Sequence, residues 1–130
     1  MTGGPEQVEY LAVDDLLEIA AGVLGRFEVR DYGLLASAAG RPRATVFGVD
    51  AYPRFVDKVA ALLHSLARNH ALVDGNKRLA WSAARVFCLL NDVEFDFGVD
   101  DAETMMLAVA SGALDVPDLA ASIERRLRPG

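Results

Sequence analysis

The stretch HALVDGNKR, which begins at His70, places several side chains that can do chemistry within nine residues. The imidazole of His70 can accept or donate a proton near pH 7. Gly75 and Asn76 stand where a helix is expected to begin, and the N–H groups and dipole of a helix start attract an anion. Lys77 and Arg78 add two cations at the same point. The stretch therefore predicts an anion-binding nest close to a group that can carry a proton.

Asp74 precedes this helix start and is a candidate Mg²⁺ ligand. Mg²⁺ usually takes one or two protein carboxylates and shares phosphate oxygens. The combination fits phosphoryl or nucleotidyl transfer, in which positioning and charge neutralisation do most of the catalysis. The structural alternatives are a histidine that caps a helix, an ordinary Asp-Gly turn and a solvated basic face. We favour the functional interpretation, because a structural turn does not need cations and a proton carrier around one helix start. The sequence has neither a Walker-type glycine loop nor the His-Arg-Asp signature of ordinary protein kinases.

Six helices are predicted around this stretch from the spacing of apolar residues. His70 is in step with Leu63 and Leu66, so we expect it to end the third helix on its buried face. Trp81 and Cys88 lie on an otherwise apolar helix and are expected in the core. In chain order, the prediction is a first helix capped by Asp14 or Asp15 and ended near Gly25, a second from Tyr32 to Ala39 capped by Asp31, a third with Pro53 in its first turn, a fourth from Gly75-Asn76 to Asn91-Asp92, a fifth from Ala102 to Ala110 capped by Asp100, and a sixth opened by Asp115 and Pro117 that ends in Arg125, Arg126 and Arg128.

The segment 41–51 does not follow helical spacing. Thr45, Val46 and Phe47 are β-branched or aromatic and lie between two glycines, which predicts a short strand or a hairpin. The sequence shows no internal repeat, low-complexity tract or linker. We therefore expect one domain over residues 1–130, with a flexible start of six residues.

The composition excludes several classes of protein. With 130 residues, 52% hydrophobic and 25% charged, the chain can bury a core and is not of the disordered type. It contains no apolar run long enough for a bilayer and no secretion signal, so we expect a cytoplasmic protein without a membrane partner. A single cysteine, Cys88, excludes a disulfide framework. The net charge of −6 argues against general nucleic-acid binding, whereas four cations against one carboxylate between His64 and Arg85 favour a small anionic ligand.

The stretch 70–78 resembles the signature of the Fic/Doc superfamily, in which a His, an acidic residue and an Asn precede basic positions. Lys77 stands where Fic AMP-transferases have Gly, and this marks the Doc (death-on-curing) branch. The sequence DYGLLASA at 31–38 and the pair Arg68-Asn69 agree with the resemblance, which covers roughly Asp31 to Asn91.

This resemblance implies an all-α, Fic-type helical bundle with a short β-hairpin flap. Proteins of the Doc branch use ATP with Mg²⁺ to phosphorylate a hydroxyl of elongation factor Tu, which halts translation, and an antitoxin, here expected to be Phd-like, neutralises them. Carried over position by position, the resemblance implies that His70 is the general base for the target hydroxyl and that Asp74 binds Mg²⁺. It implies that Gly75 and Asn76 form the phosphate nest and that the ATP phosphates are held by Lys77, Arg78 and Arg68. It also implies that a flap at 41–52 offers a strand edge to the target through Thr45, Val46 and Phe47. A plain connecting hairpin is the alternative for the flap.

The sequence departs from the family pattern at two positions. Leu72 stands two places after the histidine, where Fic motifs and many Doc motifs have an aromatic residue, and Trp81 stands where AMP-transferases have a second Arg. The loss of that cation and the gain of Lys77 both disfavour AMP transfer. A Fic-type AMP-transferase stays open as the alternative enzyme, and a non-catalytic module such as a transcriptional regulator as the alternative class. Thr2–Glu6 has the spacing of the family's inhibitory helix but is followed by Gln7, so restraint is expected from a separate chain.

Overall fold

The structure is a computed structural model that describes residues 7–130. The expected flexible start and the Thr2–Glu6 spacing lie outside these residues. The described part is mostly helical, as predicted, with two short antiparallel sheets. The helices are α1 (Val13–Leu24), α2 (Tyr32–Gly40), α3 (Phe55–Arg68), α4 (Asn76–Leu90), α5 (Val99–Ala110) and α6 (Val116–Glu124), and the strands are β1 (Thr45–Val46), β2 (Val49–Asp50), β3 (Val93–Phe95) and β4 (Leu127–Pro129).

Helix α3 is the centre of the fold. Eleven of its residues are buried, which is typical of a helix that is covered on every side. It packs against α2, α4, α5 and α6, and α1 packs on α4. The largest fully buried side chains belong to one continuous core, and each contributes about 1.5–3 kcal/mol by leaving water; they include Leu16, Leu35, Leu62, Leu63, Leu66, Leu72, Leu79, Phe87, Leu119 and Ile123. No helix of residues 7–130 is both long and apolar enough to cross a membrane.

Two of the predicted helix caps are confirmed. The carboxylate of Asp31 accepts a hydrogen bond from the Leu34 N–H at 3.1 Å, and that of Asp115 accepts from the Asp118 N–H at 3.2 Å. In both cases a side-chain oxygen satisfies one of the N–H groups that a helix start leaves without a carbonyl partner.

Two other caps were assigned to the wrong residue. Helix α1 begins one residue after Ala12, whose N–H donates to Asp15 at 2.7 Å, so Asp15 acts from inside the first turn and neither it nor Asp14 is the cap. Helix α5 is preceded by Gly98, and Asp100 lies in its first turn. Carboxylates are favourable at both places, because the dipole of a helix start attracts negative charge over the whole first turn. The sequence alone therefore does not distinguish a carboxylate that caps a helix from one that lies inside its first turn.

The start of α3 and the end of α6 also differ from the prediction. Pro53 lies outside α3, because Arg54 is the residue before the helix and its N–H donates to Asp57 at 3.3 Å. Helix α6 ends at Glu124, and Arg128 lies in a strand.

The predicted hairpin is confirmed, with one difference. Strands β1 and β2 pair antiparallel, and Thr45 lies opposite Asp50. Phe47 and Gly48 form the turn and have φ values of 53° and 79°. Two successive positive φ values are typical of the tight turns that close hairpins. Phe47 is therefore at the tip of the hairpin and not in a strand.

The second sheet was not predicted. Strands β3 and β4 pair antiparallel, with Glu94 opposite Arg128 and Phe95 opposite Leu127. The two strands are three residues each and lie far apart in the chain. Strand β3 packs against α4.

Cys88 is buried in the core, as predicted. Burial raises the pKa of its thiol to about 12, because a thiolate would lose its hydration there. The thiol therefore stays protonated and serves as an apolar side chain of the core.

Candidate active site

His70 lies just beyond the end of α3, and its predicted place on the buried face of that helix is wrong. The last bonds of the helix include one from the Asn69 N–H to the Ser65 carbonyl at 2.9 Å. At His70 the backbone turns left-handed, with φ of 54°, and the residue is exposed. The left-handed turn breaks the helical register, so the ring does not continue the line of apolar side chains. An exposed imidazole is accessible to a substrate, which a general base requires.

The α3–α4 loop, residues 69–75, is held by the segment that precedes α2. The N–H groups of Arg30 and Asp31 both donate to the Ala71 carbonyl, at 2.8 and 3.0 Å. The Val73 N–H donates to Glu28 at 3.0 Å, and Val29 and Leu72 form an antiparallel bridge. These bonds pair the middle of the loop with residues 28–31 in an antiparallel arrangement. The loop is thus fixed by backbone contacts from a segment forty residues earlier in the chain.

Two side chains add to this anchoring. The guanidinium of Arg30 donates from Nε to the His70 carbonyl at 2.9 Å. The Asn69 amide donates to the Leu34 carbonyl at 2.9 Å. The other amide atom of Asn69, Oδ1, is buried and has no hydrogen-bond partner among residues 7–130. A buried acceptor of this kind next to His70 is a place where a water molecule can bind.

Gly75 is the residue before α4, and its conformation and surroundings both favour glycine. Its φ is 88°, in the left-handed region, and an added Cβ would lie 2.7 Å from Cδ1 of Leu24. Its N–H donates to Oδ1 of Asp74 at 2.9 Å, which orients that exposed carboxylate. The oxygen Oδ2 of Asp74 takes part in no hydrogen bond within residues 7–130.

The side chain of Asn76 is engaged in holding the loop. Its Oδ1 accepts from the Leu72 N–H and its Nδ2 donates to the Leu72 carbonyl, both at 2.9 Å. The first helical bond of α4 runs from the Leu79 N–H to the Gly75 carbonyl at 2.9 Å. The N–H groups of residues 76–78 therefore have no carbonyl inside the helix to bind. These backbone groups are the ones that the predicted nest requires, and the Asn76 amide binds the loop beside them.

Lys77 and Arg78 are exposed at this helix start, as their place in the sequence implies. A guanidinium N–H of Arg78 donates to the Val23 carbonyl near the end of α1. Arg68, by contrast, donates to the Ala110 carbonyl at the end of α5, at 2.8 Å. Arg68 therefore shares no hydrogen bond with the α3–α4 loop, and a role in phosphate binding requires it to leave α5.

A cleft of about 1070 Å³ begins at Lys77 and Arg78 and runs between α4, β3 and α5. Its wall contains three aromatic rings in contact. The centre of the Trp81 ring lies 4.9 Å from the centre of the Phe95 ring and 5.3 Å from that of the Phe97 ring. Trp81 is thus a half-buried wall residue and only partly the core residue that was predicted. Small-molecule sites are typically clefts of about 300–1,000 Å³ with apolar walls and a few polar groups. In the sequence, the only local indication of this wall is that Phe95 and Phe97 are two residues apart, a spacing that places both side chains on one side of an extended segment.

The hairpin is anchored to α3 by a buried lysine. Lys58 is only 3% exposed, and its Nζ donates to the Tyr52 carbonyl at 2.6 Å, to Asp50 at 3.2 Å and to the Pro42 carbonyl at 3.3 Å. These acceptors lie on both sides of the hairpin. The tip, by contrast, is open, since Phe47 is fully exposed. The hairpin therefore has a fixed base and an open tip.

Arg41 anchors the start of the same segment. Its guanidinium donates to the Tyr52 hydroxyl at 2.8 Å and to the Ser65 hydroxyl at 2.9 Å, and lies 3.2 Å from Nδ1 of His64. Burial and then the charges of Arg41 and Arg68 lower the pKa of His64 from its ordinary value of 6.5, and Asp115 acts in the opposite direction. His64 is therefore neutral at pH 7, with Nδ1 as an acceptor.

No three His, Cys, Asp or Glu side chains converge on one point in residues 7–130. Asp74 stands as a single exposed carboxylate beside the N–H nest. This donor set fits Mg²⁺ that arrives with a nucleotide and completes its shell with phosphate oxygens and water.

The chain is similar in sequence to known proteins of one family. Residues 10–88 match the Fic/DOC family. A relative named Toxin Doc, from Mycolicibacterium smegmatis (strain ATCC 700084 / mc(2)155), is 57% identical over 120 residues, which cover 88% of this chain and 91% of that protein.

Proposed function

The chain belongs to the Fic/DOC family, and on that premise we propose that it is the toxin of a toxin–antitoxin pair. In this proposal it is a protein kinase that transfers phosphate from ATP to a hydroxyl of elongation factor Tu and so inhibits translation. One observation carries the proposal. An exposed imidazole and a helix start with two cations follow one another in the α3–α4 loop and α4. An apolar cleft is lined by Lys77 and Arg78 of that helix start, and His70 lies outside its lining.

The nest and the cleft provide the binding site for ATP. The N–H groups of residues 76–78, with Lys77 and Arg78, receive the phosphates. The cleft that begins at these residues receives the nucleoside, whose base can stack on the rings of Trp81, Phe95 and Phe97. Mg²⁺, held by Asp74, would neutralise charge on the phosphate oxygens.

His70 is the general base of the proposed reaction. It takes the proton of the target hydroxyl while that oxygen forms a bond to the γ-phosphorus of ATP. The bond between the γ-phosphorus and the oxygen that bridges it to the β-phosphate breaks, and ADP leaves with the electron pair. The nest, Lys77 and Arg78 stabilise the charge that develops on the phosphate oxygens. The proton stays on His70 until it is released to solvent.

The wall of the cleft favours transfer of the terminal phosphate over transfer of AMP. Trp81, which stands where AMP-transferases have a second Arg, packs on Phe95 and Phe97. Position 81 itself therefore supplies no cation to hold a second phosphate, and Arg85, one turn further along α4, is the other arginine that lines the cleft besides Arg78. Lys77 brings an ammonium group to the nest itself, where it crowds an α-phosphate and still attracts a terminal one.

The hairpin is the proposed docking edge for the target. Val46, Phe47 and Val49 are exposed apolar side chains at its tip, an arrangement that suits contact with another protein. Each strand of a two-stranded sheet also has an outer edge that can pair with an extended segment, so Thr45 and Val46 offer backbone hydrogen bonds.

The partner that restrains the protein is proposed to be a Phd-like antitoxin. A short antitoxin segment that folds onto an apolar groove beside the site would block the reaction. The cleft next to Lys77 and Arg78 is apolar enough for such a segment, and occupation of this cleft would exclude ATP.

Labelled ATP tests the proposal. Purified protein is incubated with elongation factor Tu, Mg²⁺ and ATP labelled in either the γ- or the α-phosphate. We expect label in the target from γ-labelled ATP only, and none when His70→Ala replaces the wild type. Label from α-labelled ATP would show AMP transfer and contradict the kinase assignment, and no label from either would contradict a transferase acting on this target.

A further inference from the structure

We infer that Arg30 is a positioning residue for His70, an inference that rests on the proposed function of His70 as the base. Arg30 lies outside the 70–78 stretch, in the segment before α2. Its Nε donates to the His70 carbonyl at 2.9 Å, and its Nη2 donates to the same oxygen and lies 3.5 Å from the Asn69 carbonyl. The planar fork of a guanidinium fixes two N–H directions at once, which a lysine cannot do.

Arg30 holds two successive peptide groups of the loop. Its guanidinium binds the carbonyl of His70, and its backbone N–H binds the carbonyl of Ala71 at 2.8 Å. The first of these peptide groups, between His70 and Ala71, flanks the Cα of His70, so its orientation helps to set the direction of the Cα–Cβ bond and hence the place of the ring. One residue therefore controls the backbone on the C-terminal side of the proposed base.

The left-handed conformation of His70 makes this control necessary. A non-glycine residue with φ of 54° is in a sparsely populated region and stays there only when its surroundings fix it. Asn69, on one side, is fixed through its amide to Leu34. Ala71, on the other side, is fixed through Arg30 and Asp31. The Arg30 guanidinium supplies the contact on His70 itself.

A purely structural role makes a different prediction. A cation beside the last carbonyls of a helix stabilises it, so Arg30 could serve only to cap α3. In that case its loss would lower the melting temperature and leave the His70 ring where it is. A positioning role requires that the ring itself moves.

The test compares Arg30→Met and Arg30→Lys with wild type, and uses Arg125→Met as the matched control. Arg125 is exposed at the end of α6. The chain has two histidines, so the ¹H–¹³C NMR spectrum of the imidazole rings contains two sets of signals, which His64→Gln assigns. We expect Arg30→Met to shift and broaden the His70 signal, to leave that of His64 in place, and to lower kcat up to about 100-fold with KM for ATP close to wild type. Arg30→Lys should give a His70 signal and a kcat between those of wild type and Arg30→Met, since lysine keeps the charge but not the planar fork of the guanidinium. Arg125→Met should match wild type in both.

Each result decides the matter. An unchanged His70 signal in Arg30→Met overturns the inference, and so does a shifted signal with wild-type kcat. Should Arg30→Met not fold, Arg30→Lys carries the same two readouts. If the wild type transfers no phosphate, the proposed function fails, while the NMR signals still show whether Arg30 positions the ring.

Discussion

The α3–α4 loop and the β1–β2 hairpin lie at opposite ends of α3 in sequence, and the fold treats them differently. The middle of the loop is fixed by backbone pairing with residues 28–31 and by the Asn76 amide. The hairpin is fixed only at its base, through Lys58 and Arg41, and its tip is exposed. A fixed loop suits the proposed base, which must meet the target hydroxyl in one geometry, whereas an open tip suits contact with a second protein.

Removal of the imidazole from the loop should have the largest effect, which is on the rate of phosphoryl transfer. His70→Ala should lower phosphoryl transfer by about 10²–10⁴-fold, because a positioned general base contributes this much. Toxicity on expression should disappear, while the circular dichroism spectrum and antitoxin binding stay unchanged, since the exposed ring contributes nothing to the core. Transfer by His70→Ala at the wild-type rate would remove His70 from the mechanism.

Loss of the hairpin anchor is expected to come next. Lys58→Met leaves the carbonyls of Pro42 and Tyr52 without their donor, which should cost about 2–3 kcal/mol in the free energy of unfolding. Asp50 is half exposed and can be hydrated, so its loss of a partner adds little. Urea unfolding gives the stability, and amide exchange should increase in residues 45–50 but not in 69–75. Equal increases in both segments would show that they are not independently fixed.

The two turn glycines provide a direct comparison of the regions. Gly75 and Gly48 both have positive φ, but a Cβ at Gly75 meets Leu24 and a Cβ at Gly48 meets nothing within 4 Å. Gly75→Ala should therefore cost about 2 kcal/mol in the free energy of unfolding, and Gly48→Ala about 1 kcal/mol. Urea unfolding of the two variants measures the difference. Equal costs would mean that the contact with Leu24 relaxes freely.

The smallest expected effect concerns pH and the second histidine. The pKa of folded His64 is lowered, so the unfolded chain binds the proton first as pH falls. The contribution of His64 to stability is therefore complete above about pH 6.5 and is lost as pH falls from there through the folded pKa. NMR titration of the His64 ring should give a midpoint below 6.5, and His64→Gln should flatten the pH dependence of unfolding in that range. A midpoint above 6.5 would contradict the combined effect of burial and of the nearby Arg41 charge on the pKa of His64.

The features that could be predicted from the sequence are those with local causes. The helices follow from apolar spacing along each segment, and the hairpin from β-branched and aromatic residues between two glycines. The residues around the nest are consecutive in the chain, so the sequence already places Asp74, Lys77 and Arg78 together.

The features that were missed depend on distant parts of the chain. The exposure of His70 follows from pairing with residues 28–31, and the contact of Arg68 follows from the place where α5 ends. The β3–β4 sheet joins two three-residue strands, too short for a pattern of their own. The aromatic wall of the cleft exists only because this sheet brings Phe95 against Trp81.

We propose that the α3–α4 loop and the start of α4 direct a terminal phosphate to a protein hydroxyl beside His70. Mass spectrometry of elongation factor Tu after expression of the wild-type protein and of His70→Ala can show whether this happens. We expect a gain of one phosphate on one hydroxyl residue with the wild type and no gain with His70→Ala. A gain of one nucleotide, or an unmodified factor in cells whose growth has stopped, would contradict it.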